Sequence, residues 1–136
     1  MDENCIFCQI ISGQIPSTKI YEDDKVLAFL DIAPVNDGHT LVVPKKHYVN
    51  LEEVPEADLC EIIKVVKKIG KAFKQGLGVL GYNINENNDP IAGQIIPHLH
   101  FHIIPRIEND GLQLWPQRKY PNGTMQEVAD QIKKAL

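Results

Sequence analysis

Apolar residues fall at period two in several stretches of the chain and at period three to four in one long stretch. Lys19 to Glu22 and Lys25 to Asp31 are rich in strand-forming residues, and Glu22-Asp23-Asp24 between them predicts a hairpin with an acidic turn. Thr40 to Pro44 is a third run of strand type, and Val79 to Asn85 alternates as a fourth. The fifth stretch is distinctive: His98, His100 and His102 alternate with Leu99, Phe101 and Ile103. In a strand, period two sends three imidazoles to one face and an apolar row to the other, which seals against a core.

The long stretch runs from Glu56 to Gln75, where Leu59, Ile62, Ile63, Val66, Ile69 and Phe73 recur at three and four. That spacing predicts one long helix, with Pro55 suited to its first turn and Gly76 to its stop. Cys60 lies among these apolar positions and reads as a buried thiol. Residues 5–12 predict a short helical turn stopped by Gly13, with Ile6, Phe7, Ile10 and Ile11 as an apolar patch. Near the end, Thr124-Met125-Gln126-Glu127 reads as a capping box opening an amphipathic helix that turns Val128, Ile132 and Leu136 inward. Pro34 to Gly38, Asn85 to Pro90 and the Trp115-bearing segment 107–123 are loops by composition.

Five strands, a long helix between the third and fourth, and a short C-terminal helix predict an α+β domain with a mainly antiparallel five-stranded sheet. At 136 residues the chain is long enough for one core and too short for two, so residues 1–136 form a single domain. Composition narrows function more than fold. With net charge −4 and lysines scattered among acidic residues, no basic stripe is present, which argues against nucleic acid as a partner. The N-terminus lacks a basic region followed by an apolar run, and no 18-residue apolar stretch occurs, so a cytoplasmic location without membrane association is expected. Three cysteines, an odd number, argue against a disulfide framework. The Cys5-x-x-Cys8 spacing leaves three readings open: a metal half-site, a redox pair, or two small core residues.

A single histidine is ordinarily a hydrogen-bonded core or surface residue, but a same-face row of three costs stability unless it does chemistry. Two histidines at i and i+2 can share one metal ion. The third, at i+4, lies about 13 Å from the first along an extended strand, which disfavours one ion held by all three. The alternative is nucleophilic catalysis, in which the middle imidazole attacks phosphorus while its second nitrogen is fixed by a hydrogen bond. Gly93-Gln94 just before the row offers backbone N–H groups and an amide to an oxyanion.

His98-Leu99-His100-Phe101-His102-Ile103-Ile104 resembles the His-φ-His-φ-His-φ-φ signature of the histidine triad superfamily, with φ apolar. The resemblance to the Hint-type branch and its bacterial members extends through Cys5 to Ile11, Ile15-Pro16, Tyr21 to Asp24, Leu27 to Ile32, Gly38 to His47 and Ala92 to Gln94. It implies the corresponding fold and a homodimer. It also implies nucleotide hydrolysis or nucleotidyl transfer at the α-phosphate, through a covalent nucleotidyl-histidine intermediate. Purine nucleoside phosphoramidates are the substrates expected, with no cofactor needed for the chemistry.

By position, the resemblance makes His100 the nucleophile and His102 and His39 its active-site neighbours, with the His98 carbonyl orienting His100. Asp31 corresponds to the ribose-binding residue; Ile6, Phe7, Ile10 and Ile32 to the base slot; and Asn85, Gly93 and Gln94 to the phosphate side. Some relatives, the hexose-phosphate uridylyltransferases among them, complete a structural zinc site from a cysteine pair and two histidines. The matching positions here are Cys5, Cys8, His47 and His98. This chain departs from the pattern at Ile95, where Ser or Thr is common, and in a longer loop from Asn85 to Ile91. Other classes of function compatible with the sequence are a nucleotide-binding regulatory module, a dinucleoside polyphosphate hydrolase, and a metal-dependent hydrolase built on the histidine row.

Overall fold

The computed structural model describes residues 2–136. In chain order the elements are α1 (Ile6–Ile11), β1 (Lys19–Glu22), β2 (Val26–Leu30), β3 (Thr40–Pro44), α2 (Glu56–Ala72), β4 (Gly81–Glu86), β5 (Phe101–Arg106) and α3 (Thr124–Ala135). The strands form one antiparallel sheet in the order β1-β2-β3-β5-β4. The acidic hairpin turn is closed by the Asp23 carboxylate, which accepts the N–H groups of Lys25 and Val26 at 2.8 Å each.

Both faces of the sheet's centre are covered, which is why β2 and β3 read as nearly continuous apolar runs. On one face, Val26, Ala28, Val42, Phe101 and Ile103 pack against Ile62, Val65, Val66 and Ile69 of α2 and Phe73 just after it. On the other, Leu27, Phe29, Leu41 and Val43 pack against Phe7, Cys8 and Ile10 of α1. His100 and His102 belong to this second face, because register places His102 opposite Leu41 on one side and Asn85 on the other.

Several sequence expectations need correction. Cys60 is exposed, and so is Ile63: the buried stripe of α2 runs through Ile62, Val65, Val66, Ile69 and Gly70, and both residues fall outside it. The helix does not stop at Gly76. It continues as a π-helical turn, Phe73–Leu77, and ends at Gly78, whose φ of +65° is the left-handed conformation that glycine adopts without strain. Gly70 is a helix-interior glycine with a packing reason: a Cβ there would enter the Tyr82 ring.

Thr124 is the first residue inside α3, not its cap. The N-cap is Gly123 at φ +82°, and no side chain caps the helix. None of α3 is buried; Ile132 and Leu136 are exposed, so the predicted inward stripe is not covered by the described residues. β5 begins at Phe101, later than the alternation implies. Ahead of it, the His98 N–H bonds Ile96 O and the Leu99 N–H bonds Tyr48 O, which draws this stretch away from β3. The alternation of faces survives: Leu99 is fully buried on the α2 side and His98 on the α1 side. Among the described residues, no helix is long and apolar enough to cross a membrane.

Candidate functional site

The histidines sort into two clusters. The first gathers Cys5, Cys8, His47 and His98, whose ligand atoms lie within 4.8 Å of one another. α1 brings the cysteines, the segment after β3 brings His47, and the approach to β5 brings His98. His98 Nε2 lies 2.9 Å from Pro44 O, so that nitrogen carries the proton and Nδ1 presents its lone pair. Nδ1 sits 3.4 Å from Cys5 Sγ and 3.7 Å from Cys8 Sγ, while His47 Nδ1 is 3.4 Å from Cys8 Sγ.

A tetrahedral ion with bonds of about 2.3 Å to sulfur and 2.05 Å to nitrogen separates such ligands by about 3.6 Å, so these spacings fit one metal. Burial pushes the Cys5 thiol above its ordinary pKa and His98 down to about 4, which favours neutral groups in the absence of a cation. Two soft sulfurs and two neutral imidazoles suit zinc.

The second cluster faces a cleft of about 400 Å³ between α1, the residues after β2, the 87–96 loop and the start of β5. His100 Nδ1 is 2.7 Å from His98 O. A carbonyl only accepts, so the His100 proton is on Nδ1 and Nε2 carries the free lone pair. A second chain of bonds fixes His102. The Val35 N–H donates to His39 Nδ1 at 3.2 Å, so His39 is protonated on Nε2. That N–H donates to His102 Nδ1 at 2.9 Å, leaving the His102 proton on Nε2. The His100 and His102 ring centroids are 4.8 Å apart. One ring thus offers a lone pair and the other an N–H.

Burial is the main force on these imidazoles. It lowers the His100 pKa against the bond to His98 O and the Asp31 charge, which raise it. His102 is lowered to about 4 by burial, reinforced by His100 and His39. His39 is lowered by burial and partly restored by Asp31, whose Oδ2 lies 3.7 Å from His39 Nδ1. At neutral pH all three are uncharged.

The structure brings many of the sequence-predicted residues to this cleft: Ile6, Phe7, Ile10, Asp31, Ile32, Gly93, His100 and His102 line it, and His39 stands directly behind His102. Phe7 packs edge-on against His100 at 5.2 Å and against His98 at 5.8 Å, touching both clusters. Gly93 closes a 3-10 turn, Pro90–Ala92, at φ +96°, a conformation glycine adopts freely. Asn85 stands opposite His102 on β4 but outside the cleft lining. Gln94 turns inward, donating from Nε2 to Val49 O and accepting the Asp89 N–H, so its amide is used in holding loops together. Asn87, Ile95, Ser17 and Ile15 line the cleft without having been singled out as site residues. Two of them carried a legible sequence signal: Ile95 as a departure from the family pattern, and Ile15 as an apolar neighbour of Pro16.

The HIT domain model matches residues 12–109. The chain belongs to the HIT family. It is 39% identical over 139 residues to an adenosine 5'-monophosphoramidase of Candida albicans, covering 98% of this chain and 91% of that protein. A solved HIT-family structure from Bacillus subtilis superposes with a TM-score of 0.91 at 43% identity, covering 98% of each chain. A Zn-bound histidine triad family protein from Mycobacterium smegmatis superposes with a TM-score of 0.78 at 35% identity, again covering 98% of each. The five-stranded antiparallel sheet with its long and short helices is therefore the HIT fold.

Proposed function

We propose that this HIT protein is a nucleotide hydrolase or nucleotidyl transferase. It acts at the α-phosphorus of purine nucleoside phosphoramidates and related conjugates, with His100 as the nucleophile. The observation that carries this reading is the 2.7 Å contact between His100 Nδ1 and His98 O, which leaves Nε2 unprotonated on the cleft side of the ring. The phosphoramidase in Candida albicans, similar over nearly the whole chain, supports the substrate class.

In the first step His100 Nε2 bonds to phosphorus, the P–N bond breaks, and the amine leaves with a proton taken up from the site. In the second, water attacks phosphorus, the His100–P bond breaks, and the proton is returned as the monophosphate departs. The Nε2–H of His102 is positioned to donate to a phosphoryl oxygen or the leaving nitrogen as charge develops. His39 acts through His102, fixing its tautomer. Asp31 at the cleft wall suits the ribose hydroxyls, and Ile6, Phe7, Ile10 and Ile32 offer an apolar slot to a purine. Asn85, Gly93 and Gln94 are assigned to the phosphate side, Gly93 through its backbone and Gln94 by shaping the loop.

Cys5, Cys8, His47 and His98 would hold zinc as a closed four-ligand site, in keeping with the donor set and with the Zn-bound relative. Zinc there supplies a cross-link between α1 and the approach to β5, and no step of the reaction. The active form is taken to be a cytoplasmic homodimer. A metal-dependent hydrolase remains a second reading because Asp31, His39 and His102 also place ligand atoms within 4.8 Å of one another.

Quench-flow with a radiolabelled adenosine phosphoramidate tests the reading. A covalent adenylyl adduct on His100 is expected, and His100→Ala should lower turnover by about 10⁴-fold or more. Full turnover in that variant would overturn the assignment.

A further inference from the structure

The walls of the cleft are chemically lopsided. Among the described residues, no lysine or arginine lines it, and Asp31 is its only formally charged side chain. On the wall made by the 87–96 loop, Ile96 packs into the core beneath α1, which fixes the backbone. Ile95 beside it is left at the cleft with 87% of its surface exposed. Ile32, 98% exposed, also lines the cleft. A branched apolar side chain held by its neighbour, yet covered by nothing in the protomer, is ready to be covered by a ligand.

We infer that Ile95 is a specificity-determining residue that makes this HIT protein select leaving groups with an uncharged apolar body and discriminate against anionic ones. The inference rests on the hydrolase reading above and names the other half of the substrate. With the nucleoside in the slot formed by α1 and Ile32, the part of the substrate beyond the phosphorus meets the loop wall. An apolar amine substituent removes Ile95 surface from water. A polyphosphate or sulfonate brings further negative charge into a cleft that already holds Asp31 and has no cation to receive it.

The test uses the full chain and three adenosine 5'-phosphoramidates, formed from methylamine, phenethylamine and 2-aminoethanesulfonate. The first supplies the bare P–N bond, the second an apolar body and the third an anionic one. The phenethyl to methyl ratio of kcat/KM is expected to be about four- to fifteenfold, what one or two buried methylene groups are worth. The sulfonate should fall below the methyl compound. Ile95→Ser should bring the phenethyl to methyl ratio close to one, and Ile95→Leu should keep it, whatever happens to the absolute rates. An unchanged ratio in Ile95→Ser, or a sulfonate used as well as the phenethyl compound, would overturn the inference while leaving the hydrolase reading intact. Failure to turn over any of the three would remove that reading and this inference with it.

Discussion

Replacing Phe7 probes the fold and the site together. The side chain is 6% exposed, with ring centroids 5.7 Å from Phe29, 5.8 Å from His98 and 5.2 Å from His100. α1 has six residues, too few to be helical alone, so its position depends on the side chains that dock it. Phe7→Ala removes the largest of these and leaves a cavity beneath α1, at a cost of about 3–5 kcal/mol. For a chain of this size that is a drop in Tm of about 10–17 °C. Phe7→Leu keeps an apolar group and should cost about 1.5 kcal/mol. The hydrogen bond from His100 to the His98 carbonyl does not pass through Phe7, so KM should rise more than kcat falls in both variants. Calorimetric melting and steady-state kinetics on one phosphoramidate measure both effects. If Phe7→Ala melted within about 3 °C of the parent and kept its KM, α1 would be neither a core element nor a cleft wall, and the reasoning would fail.

Protonation of His100 Nε2 removes the attacking lone pair, and burial holds its pKa below the ordinary histidine value, so the acid limb of kcat/KM should have its midpoint below about 6.5, while His102, lowered to about 4, stays neutral above pH 5. The unfolded value of His102 is about 6.5, so between roughly pH 4 and 6.5 the unfolded chain binds more protons and stability rises with pH. Urea titrations that gave equal stability at pH 4.5 and pH 7 would contradict this burial. Cys8→Ser should lose one equivalent of bound zinc by elemental analysis, with a lower Tm and kcat largely retained. A chelator that abolished turnover without disturbing the fold would instead favour metal chemistry at Asp31, His39 and His102. Asp110 accepts from Arg106 Nε at 2.6 Å and from Asn36 Nδ2 at 3.1 Å, and the Arg106 guanidinium holds its carboxyl well below the usual range. Asp110→Asn should therefore lower the Tm at neutral pH. The difference should vanish in strong acid as the native carboxylate protonates, and a difference independent of pH would assign the effect to packing.

Much of the fold was legible because periodicity reports which face of an element is apolar. The runs around Val26 to Leu30 and Thr40 to Pro44, and the helix from Glu56, sit where that pattern puts them. Periodicity does not report what covers a face. Cys60 and α3 depart from expectation for that reason: each carries an apolar position, and none of the described residues buries it. The capping-box pattern at Thr124 was overridden by Gly123, which takes up a left-handed conformation one residue earlier. In the site, alternation separated imidazoles from core residues but could not divide them between two clusters. That division depends on Pro44 O, His98 O and the Val35 N–H, main-chain groups with no signature in sequence. Gln94 shows the same limit in reverse, since an amide suited to an anion is used instead to join two loops.

Orientation of His100 by a main-chain carbonyl has a consequence for mutagenesis. Where a carboxylate plays that part, one substitution deletes it and acid neutralises it. The His98 carbonyl can be neither substituted away nor titrated, so any residue at position 98 still presents a main-chain acceptor to His100. A position scan that found His98 indispensable would be measuring its ring, wedged among Cys5, Cys8, His47 and Phe7, and its backbone only through that ring. Loss of activity at residue 98 would then report misplaced scaffolding around a chemically intact His100.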